Sequence, residues 1–204
     1  MEGVLRVAVR LPATIDDIGE YLADVTALEA AGADTIWVDD TALDPWTVLG
    51  ALAAVTHRVR LGCRITSTAP WPSTTLGPRV TTLQKLSRGR IVVGLPLGGS
   101  KEDHGAVLRM AGAKVFTTGF EPKAGDGVIL DVESADQLSG APDTDEEVWA
   151  AIAIPPDREA WARTLTAYEA AGAIGVIVPW NGRVLDLLRN SEPDDRTDLL
   201  ISTG

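Results

Sequence analysis

The residues best suited to chemistry stand just past short apolar runs. Gly98, Gly99 and Ser100 follow the run Ile91 to Leu95 and lead into a helical segment. A backbone without side chains there can approach a ligand closely, and the N–H groups of a helix start attract anions. Parallel α/β folds place their ligands at such strand ends. The same three residues also read as a plain tight turn. Asp39 and Asp40 close another run, Thr35 to Val38. Two adjacent carboxylates resist ionising together, so one of them could hold a raised pKa; the alternative is that one merely caps a turn. With two histidines and one cysteine, neither a Ser-His-Asp triad nor a metal cluster can be assembled. Any chemistry must be carried by a cofactor that the protein positions.

The elements that must position these residues come from one core. A chain of 204 residues, 45% hydrophobic and 23% charged, is long enough for one sizeable domain and short for two. A single domain over 1–189 with a polar tail over 190–204 is expected. A net charge of -11 repels phosphate backbones and anionic lipid, which disfavours nucleic-acid and membrane-surface partners. No apolar run approaches the ~20 residues that span a bilayer, and the start MEGVLRVAVRL lacks a signal-peptide layout, so a cytoplasmic location is expected. Cys63, the sole cysteine, lies in a strand-like run and reads as an inert core residue.

Along the chain, strands are expected at Val4–Leu11, Thr35–Val38, Val59–Ile65, Ile91–Leu95, Val128–Val132, Val148–Ile154 and Val176–Val178, with Val115–Phe120 as a further candidate. Helices fall between most of them. Thr14 is placed to cap the first, Asp44 with Pro45 opens the second, and Asp157 opens the one carrying Trp161, Leu165 and Tyr168. The second, PWTVLGALAAVTH, is apolar nearly all round, so it is either deeply covered or part of a subunit interface. The passages LEAAGADTIWVDD and YEAAGAIGVIVPW repeat one joint, a helix end, an Ala-Gly stop and a short apolar strand. Such recurring joints write a parallel barrel or a doubly wound sheet. The lack of GxGxxG after the first strand favours the barrel.

Taken in order, ALEAAGADTIWVDD, DPWTVLGALAAVTHRVRLGCRITS and WPSTTLGPRVTTLQKLSRGRIVVGLPLGGSKED resemble the bacterial luciferase-like family of flavin- and deazaflavin-dependent oxidoreductases. The likeness covers about Leu5 to Asp103 and is weaker afterwards. It implies a TIM-type (β/α) barrel with a flavin-type cofactor, FMN or the deazaflavin coenzyme (F-420), in the mouth at the strand carboxyl ends. It also implies a homodimer through the helices at 44–57 and 75–87. By the resemblance, Asp39 and Asp40 sit beside the reacting ring as proton donor or orienting group. Thr66 and Ser67 back the ring on a strained, bulging peptide, unless they form an ordinary loop. Gly98, Gly99 and Ser100 hold the cofactor phosphate. His104 stacks or bonds near the cofactor, or is a partly exposed helix residue.

There are departures from the family pattern. The chain is shorter than is usual, and the loss falls between Ala113 and Val128, where a strand, a helix and an insertion loop are expected. Asp40 stands where a histidine often follows the first acid, and Trp71 where a basic residue often precedes the proline. The expectation is a shortened barrel that acts as a flavin- or deazaflavin-dependent oxidoreductase on a small organic molecule. The alternative is a non-catalytic cofactor-binding relative, or a subunit of a larger complex.

Overall fold

The computed structural model describes residues 5–96, 103–119, 126–140 and 146–189, without the side chains of 139 and 140. Gly98, Gly99, Ser100 and the tail 190–204 lie outside the described residues.

Eight strands close into a parallel barrel in chain order. They are β1 (Arg6–Arg10), β2 (Thr35–Asp39), β3 (Arg60–Arg64), β4 (Ile91–Pro96), β5 (Lys114–Thr118), β6 (Gly127–Asp131), β7 (Glu147–Ala151) and β8 (Gly175–Pro179). The helices are α1 (Ile18–Ala30), α2 (Pro45–Val55), α3 (Ser73–Ser87), α4 (His104–Met110), α5 (Arg158–Ala170) and α6 (Gly182–Arg189). The fold is a TIM-type barrel, and no strand is missing from it. The economy lies in the connections. Between β5 and β6 stand residues 119–126, too few for a strand-length helix; between β6 and β7 the only described helix is a 3-10 segment at Ala135–Gly140. A link of that length still reaches ~25 Å when extended, more than the ~17 Å of a five-residue strand that it must retrace.

The repeated joint is a Schellman stop in three copies, one more than the sequence comparison found. Gly32, Gly112 and Gly172 take φ of 91°, 84° and 89°, a conformation costly for residues with a Cβ. At each, the next residue donates its N–H back across the last turn: Ala33 to Leu28 O, Ala113 to Leu108 O and Ala173 to Tyr168 O, all at 3.0 Å. The chain then enters β2, β5 and β8 directly. Asp44 and Asp157 cap α2 and α5 as expected. Asp17, not Thr14, caps α1, its Oδ1 accepting from Glu20 N at 2.9 Å, and Ile18 is left 55% exposed.

The SRGR sequence is a structural knot at the barrel's amino-terminal end. Arg88 turns the chain at φ 59° and Gly89 at φ 81°. The Arg90 guanidinium then donates to Thr56 O, Thr56 Oγ1, Val59 O and Ser87 O at 2.6–2.9 Å, tying α2, β3 and α3 together. Nearby, Glu29 Oε1 accepts the backbone N–H groups of His57, Arg58 and Val59 at 2.6–3.0 Å. His57 itself is exposed, with Nδ1 3.8 Å from Glu29, in keeping with a structural role.

Two apolar cores follow from strand alternation. Odd-face residues such as Val7, Val9, Leu61, Cys63 and Val93 pack outward against the helices. Ala8, Trp37, Val92, Phe116, Ile129, Trp149 and Ile177 face inward and fill the barrel. Following the strand register around the closed sheet sorts the inward side chains into layers of four, drawn alternately from odd and even strands. The lowest holds Arg6, Arg60, Lys114 and Glu147. Then come Thr35, Val92, Gly127 and Gly175; Ala8, Gly62, Phe116 and Trp149; and Trp37, Gly94, Ile129 and Ile177. At the carboxyl end lie Arg10, Arg64, Thr118 and Ala151, topped by Asp39, Pro96, Asp131 and Pro179.

The bottom layer wires itself together. Glu147 meets Lys114 Nζ at 2.9 Å, Arg60 Nη1 at 3.2 Å and Trp149 Nε1 at 3.0 Å. Burial alone would push its carboxyl up, but those donors and the Arg60 charge pull it down to about 2.

Candidate functional site

The carboxyl end carries the polar groups that the amino end does not use for closure. Consecutive residues of a strand face opposite ways, and this separates the two acids after β2. Asp39 turns into the mouth, where Arg64 of the neighbouring β3 meets it fork to fork: Nε to Oδ1 at 3.0 Å, Nη2 to Oδ2 at 3.1 Å. Both side chains are largely buried, 16% and 20% exposed. Arg64 Nη1 also reaches Asp131 Oδ1 at 3.6 Å across the mouth. Burial would lower the Arg64 pKa, but the bonds and charge of Asp39, with Asp131 and Asp40, hold it above arginine's ordinary value.

Asp40 turns outward and organises the loop after β3. Its Oδ1 accepts from Thr66 N at 2.8 Å and from Thr66 Oγ1 at 2.7 Å, and its Oδ2 from Trp71 Nε1 at 3.3 Å. Trp71 is held in turn by an edge contact with Trp46, ring centroids 5.8 Å apart, and by the Arg79 guanidinium 5.5 Å from its ring. Its carbonyl lies 2.8 Å from His104 Nε2. The two acids therefore meet different partners, Asp39 the Arg64 guanidinium and Asp40 the loop after β3.

The remaining expected residues fall as follows. Thr66 is bonded to Asp40, while Ser67 is exposed with its Oγ accepting from Ala69 N at 3.3 Å. Among the described residues there is no cis peptide bond, and neither Thr66 nor Ser67 takes a positive φ. His104 is buried at 5% exposure, not a partly exposed helix residue, because the Trp71 carbonyl draws its ring inward at the start of α4. Cys63 is fully buried, and burial, with the nearby charges of Asp40, Asp39 and Asp44, pushes its thiol up. It is an inert core residue. The structure thus brings Asp39, Asp40 and Thr66 to one rim, with Ser67 next in the chain and His104 behind Trp71; Gly98, Gly99 and Ser100 are outside the described residues.

Sequence reasoning missed Arg10, Arg64 and Asp131. A signal was present: RVAVR and RLGCR each place arginine at both ends of a five-residue strand, spacing that puts the two on one face. One face with a cation at each end, in a strand otherwise apolar, marks the two open ends of a barrel interior.

Two cavities open at the opposite end. One of about 330 Å³ lies between Leu5, Trp161, Leu165 and Leu187; one of about 640 Å³ lies among Arg6, Glu29, Asp34 and Arg60. Their charged walls are already committed to ion pairs: Arg60 to Asp34 and Glu147, Arg6 to Asp34 at 3.8 Å. They sit at the barrel's stability end, away from the Asp39–Arg64 rim.

The barrel is similar to known structures. The coenzyme F420 dependent tetrahydromethanopterin reductase from Methanopyrus kandleri superposes with a TM-score of 0.70 at 12% identity, covering 91% of this chain and 96% of that one. An F420-dependent secondary alcohol dehydrogenase, solved with an F420-acetone adduct, gives 0.68 at 13% identity over 86% and 93%. A tryptophan synthase alpha-subunit from Pyrococcus furiosus gives 0.64 at 15% identity over 93% and 92%. At such identities the likeness speaks for the barrel alone. In sequence, the uncharacterized protein Rv0953c of Mycobacterium tuberculosis is 41% identical over 66 residues, as is Mb0978c of Mycobacterium bovis. That match covers 31% of this chain, and the chain spans only 23% of the length of these relatives. The model of the luciferase-like monooxygenase family matches residues 4–115, from the first strand through the Asp39–Arg64 rim to β5. More than half of the chain lies within that match, and the protein belongs to the luciferase-like monooxygenase family.

Proposed function

We propose that the protein is an oxidoreductase that holds a flavin-type cofactor, the deazaflavin coenzyme or FMN, in the carboxyl-end mouth and acts there on a small organic substrate. The observation that carries this reading is the polar rim built by β2 and β3, Asp39 with Arg64 and Asp40 with Thr66, over the apolar floor of Trp37, Ile129 and Ile177. The residues fit such a group. A fused planar ring needs apolar support and hydrogen-bond donors at its edge, and the floor and the Arg64 side chain have those chemistries. The family assignment supports a flavin-type cofactor, and the two F420-dependent structural neighbours favour the deazaflavin among them.

When bound, the cofactor supplies hydride transfer or activates oxygen. The chain's own residues bind and orient. Asp39, with both oxygens engaged by Arg64, aims that guanidinium into the mouth. Asp40 fixes the loop carrying Thr66 and Ser67 by holding the Thr66 amide and the Trp71 indole. Gly98, Gly99 and Ser100 are assigned the cofactor phosphate from the sequence pattern, and His104 supports Trp71 from behind. In this reading both acids bind and orient, Asp39 through Arg64 and Asp40 through Thr66 and Trp71.

Titrating the purified protein with FMN and with coenzyme F420, following fluorescence quenching, tests the proposal. Saturable quenching by one of them is expected; no binding of either at tens of micromolar sinks it. The short β5–β6 connection, which leaves little chain for a substrate lid, favours a second reading: a relative that binds cofactor without turning over, or serves as a subunit of a larger complex. Substrate turnover by the isolated protein excludes that reading. We place homodimerisation on α2 and α3, where Thr47, Ala51 and Ala54 form an exposed small-residue face and Leu86 is 60% exposed. Sedimentation at monomer mass would remove it. No described helix is long and apolar enough to cross a membrane.

A further inference from the structure

We propose that Arg10 is the anchor of an anion-binding subsite on the floor of the mouth, taking a carboxylate-type group of the molecule bound there. Ala8 belongs to the inner cluster while Val7 and Val9 pack outward, so alternation puts Arg10 on the inward face at the carboxyl end of β1. The strand register sets it in one layer with Arg64, Thr118 and Ala151. Besides Arg64, the other members of that layer, Thr118 and Ala151, are small.

Charge accounting singles out Arg10. The mouth's inward charges among the described residues are two guanidiniums, Arg10 and Arg64, and two carboxylates, Asp39 and Asp131. Arg64 takes both carboxylates: Asp39 bidentately and Asp131 at 3.6 Å. The Arg10 guanidinium has no hydrogen-bond or ion-pair partner among the described residues, although it is partly buried. At the other end of the same strand, Arg6 is paired with Asp34 and Glu147, as a merely structural arginine would be. A partly buried guanidinium at the barrel mouth, in a chain of net charge -11, is a local attractor for an anion that the rest of the surface repels. Its planar fork matches a carboxylate.

This subsite does not depend on the redox reading, and its test separates the two. Calorimetric titration of the full chain at low ionic strength would use acetate, benzoate and the neutral benzamide as probes, on the wild type, Arg10→Gln and Arg10→Lys. Both carboxylates are expected to bind the wild type, benzoate at least about tenfold more tightly than benzamide. Arg10→Gln should weaken benzoate about tenfold or more while benzamide is unchanged, with Arg10→Lys between. Unchanged thermal midpoints are expected, since Arg10 has no bond to lose, and they certify the fold. Equal binding of benzoate and benzamide, no carboxylate binding, or indifference to Arg10→Gln overturns the proposal. Comparing FMN with riboflavin on the same variants identifies the source. Loss confined to FMN assigns the anion to the cofactor phosphate; no change in either assigns it to a second molecule, the substrate. Failure of FMN and coenzyme F420 to bind with the benzoate result intact removes the cofactor reading and leaves the subsite.

Discussion

The indole of Trp37 fills the space in which a side chain on Gly62 would stand: an ideal Cβ there falls 2.4 Å from Trp37 Cε3. Trp149 stands in the same relation to Gly175, and Phe116 to Gly127, each also at 2.4 Å. The barrel interior is thus three large rings set against three glycines. Because a closed sheet cannot give way, Gly62→Ala forces the ring off its place, at about 1–3 kcal/mol. The thermal midpoint should fall by roughly 3–10 °C for a chain of this size. Gly182→Ala, where nothing lies within 4 Å, is the control and should stay within about 0.5 kcal/mol. Equal melting of the two variants would refute this account of the interior.

Acid stability should hinge on Glu147. Its carboxyl is held at about 2 in the folded chain against an ordinary 4.5, so the folded state favours the charged form. The stability this contributes is present above about pH 4.5 and is lost as pH falls towards 2. Glu147→Gln is expected to cost on the order of 2 kcal/mol at pH 7, allowing for partial solvent access. It should also flatten the fall of the melting midpoint between those pH values. Parallel pH profiles for the variant and the wild type would contradict the linkage.

Gln84 is a buried amide with every hydrogen bond to backbone. Its Nε2 donates to Gly112 O at 2.6 Å and Ile91 O at 3.2 Å, and its Oε1 accepts from Ile91 N at 3.1 Å. Gln84→Leu keeps the volume but takes away the partner of the buried Ile91 N–H and a donor to the Ile91 carbonyl, a loss of about 1–3 kcal/mol. Denaturant unfolding would show the midpoint falling with an unchanged slope.

Asp40→Asn probes the rim. The substitution trades a charged acceptor of three donors for an amide with one acceptor oxygen, so the Thr66 amide or the Trp71 indole loses its partner. Hydrogen exchange in residues 66–71 should speed by about tenfold, while the SRGR knot keeps its protection. If the flavin reading holds, cofactor affinity should fall by a similar factor. A variant with native exchange in that loop would mean that Asp40 does not order it.

Much of the barrel is legible in the sequence, because the Ala-Gly stop and the apolar run after it report a Schellman turn and a strand at once. Leu28–Asp40 and Tyr168–Trp180 show it, and so does the third joint at Gly112, hidden behind a helix of about two turns. Where two caps compete, composition does not decide: Thr14 and Asp17 both suit a helix start, and the carboxylate that reaches Glu20 N wins. Helix α6 is absent from the sequence-based expectation although Val184 and Leu187 recur at helical spacing between Arg183, Asp186 and Arg189; its eight residues are short and stand between the last strand and the polar tail. The rim was half legible. Asp39 and Asp40 mark the right strand end, but strand alternation already separates neighbours, and weighing it would have sent only Asp39 inward. The spacing in RLGCR puts Arg64 on the inward face, but its partnership with Asp39 follows only from pairing β2 with β3, which is a property of the sheet.

The charged ring of Arg6, Arg60, Lys114 and Glu147 locks four alternate strands at a single edge of the molecule. With the cylinder closed by its own strand pairing, its packed interior and this ring, the crossings at the opposite edge can be trimmed, swapped or recoded for a new ligand without unravelling the staves beneath. A barrel whose fifth crossing has been cut to eight residues, yet which still closes, is what such a division of labour allows.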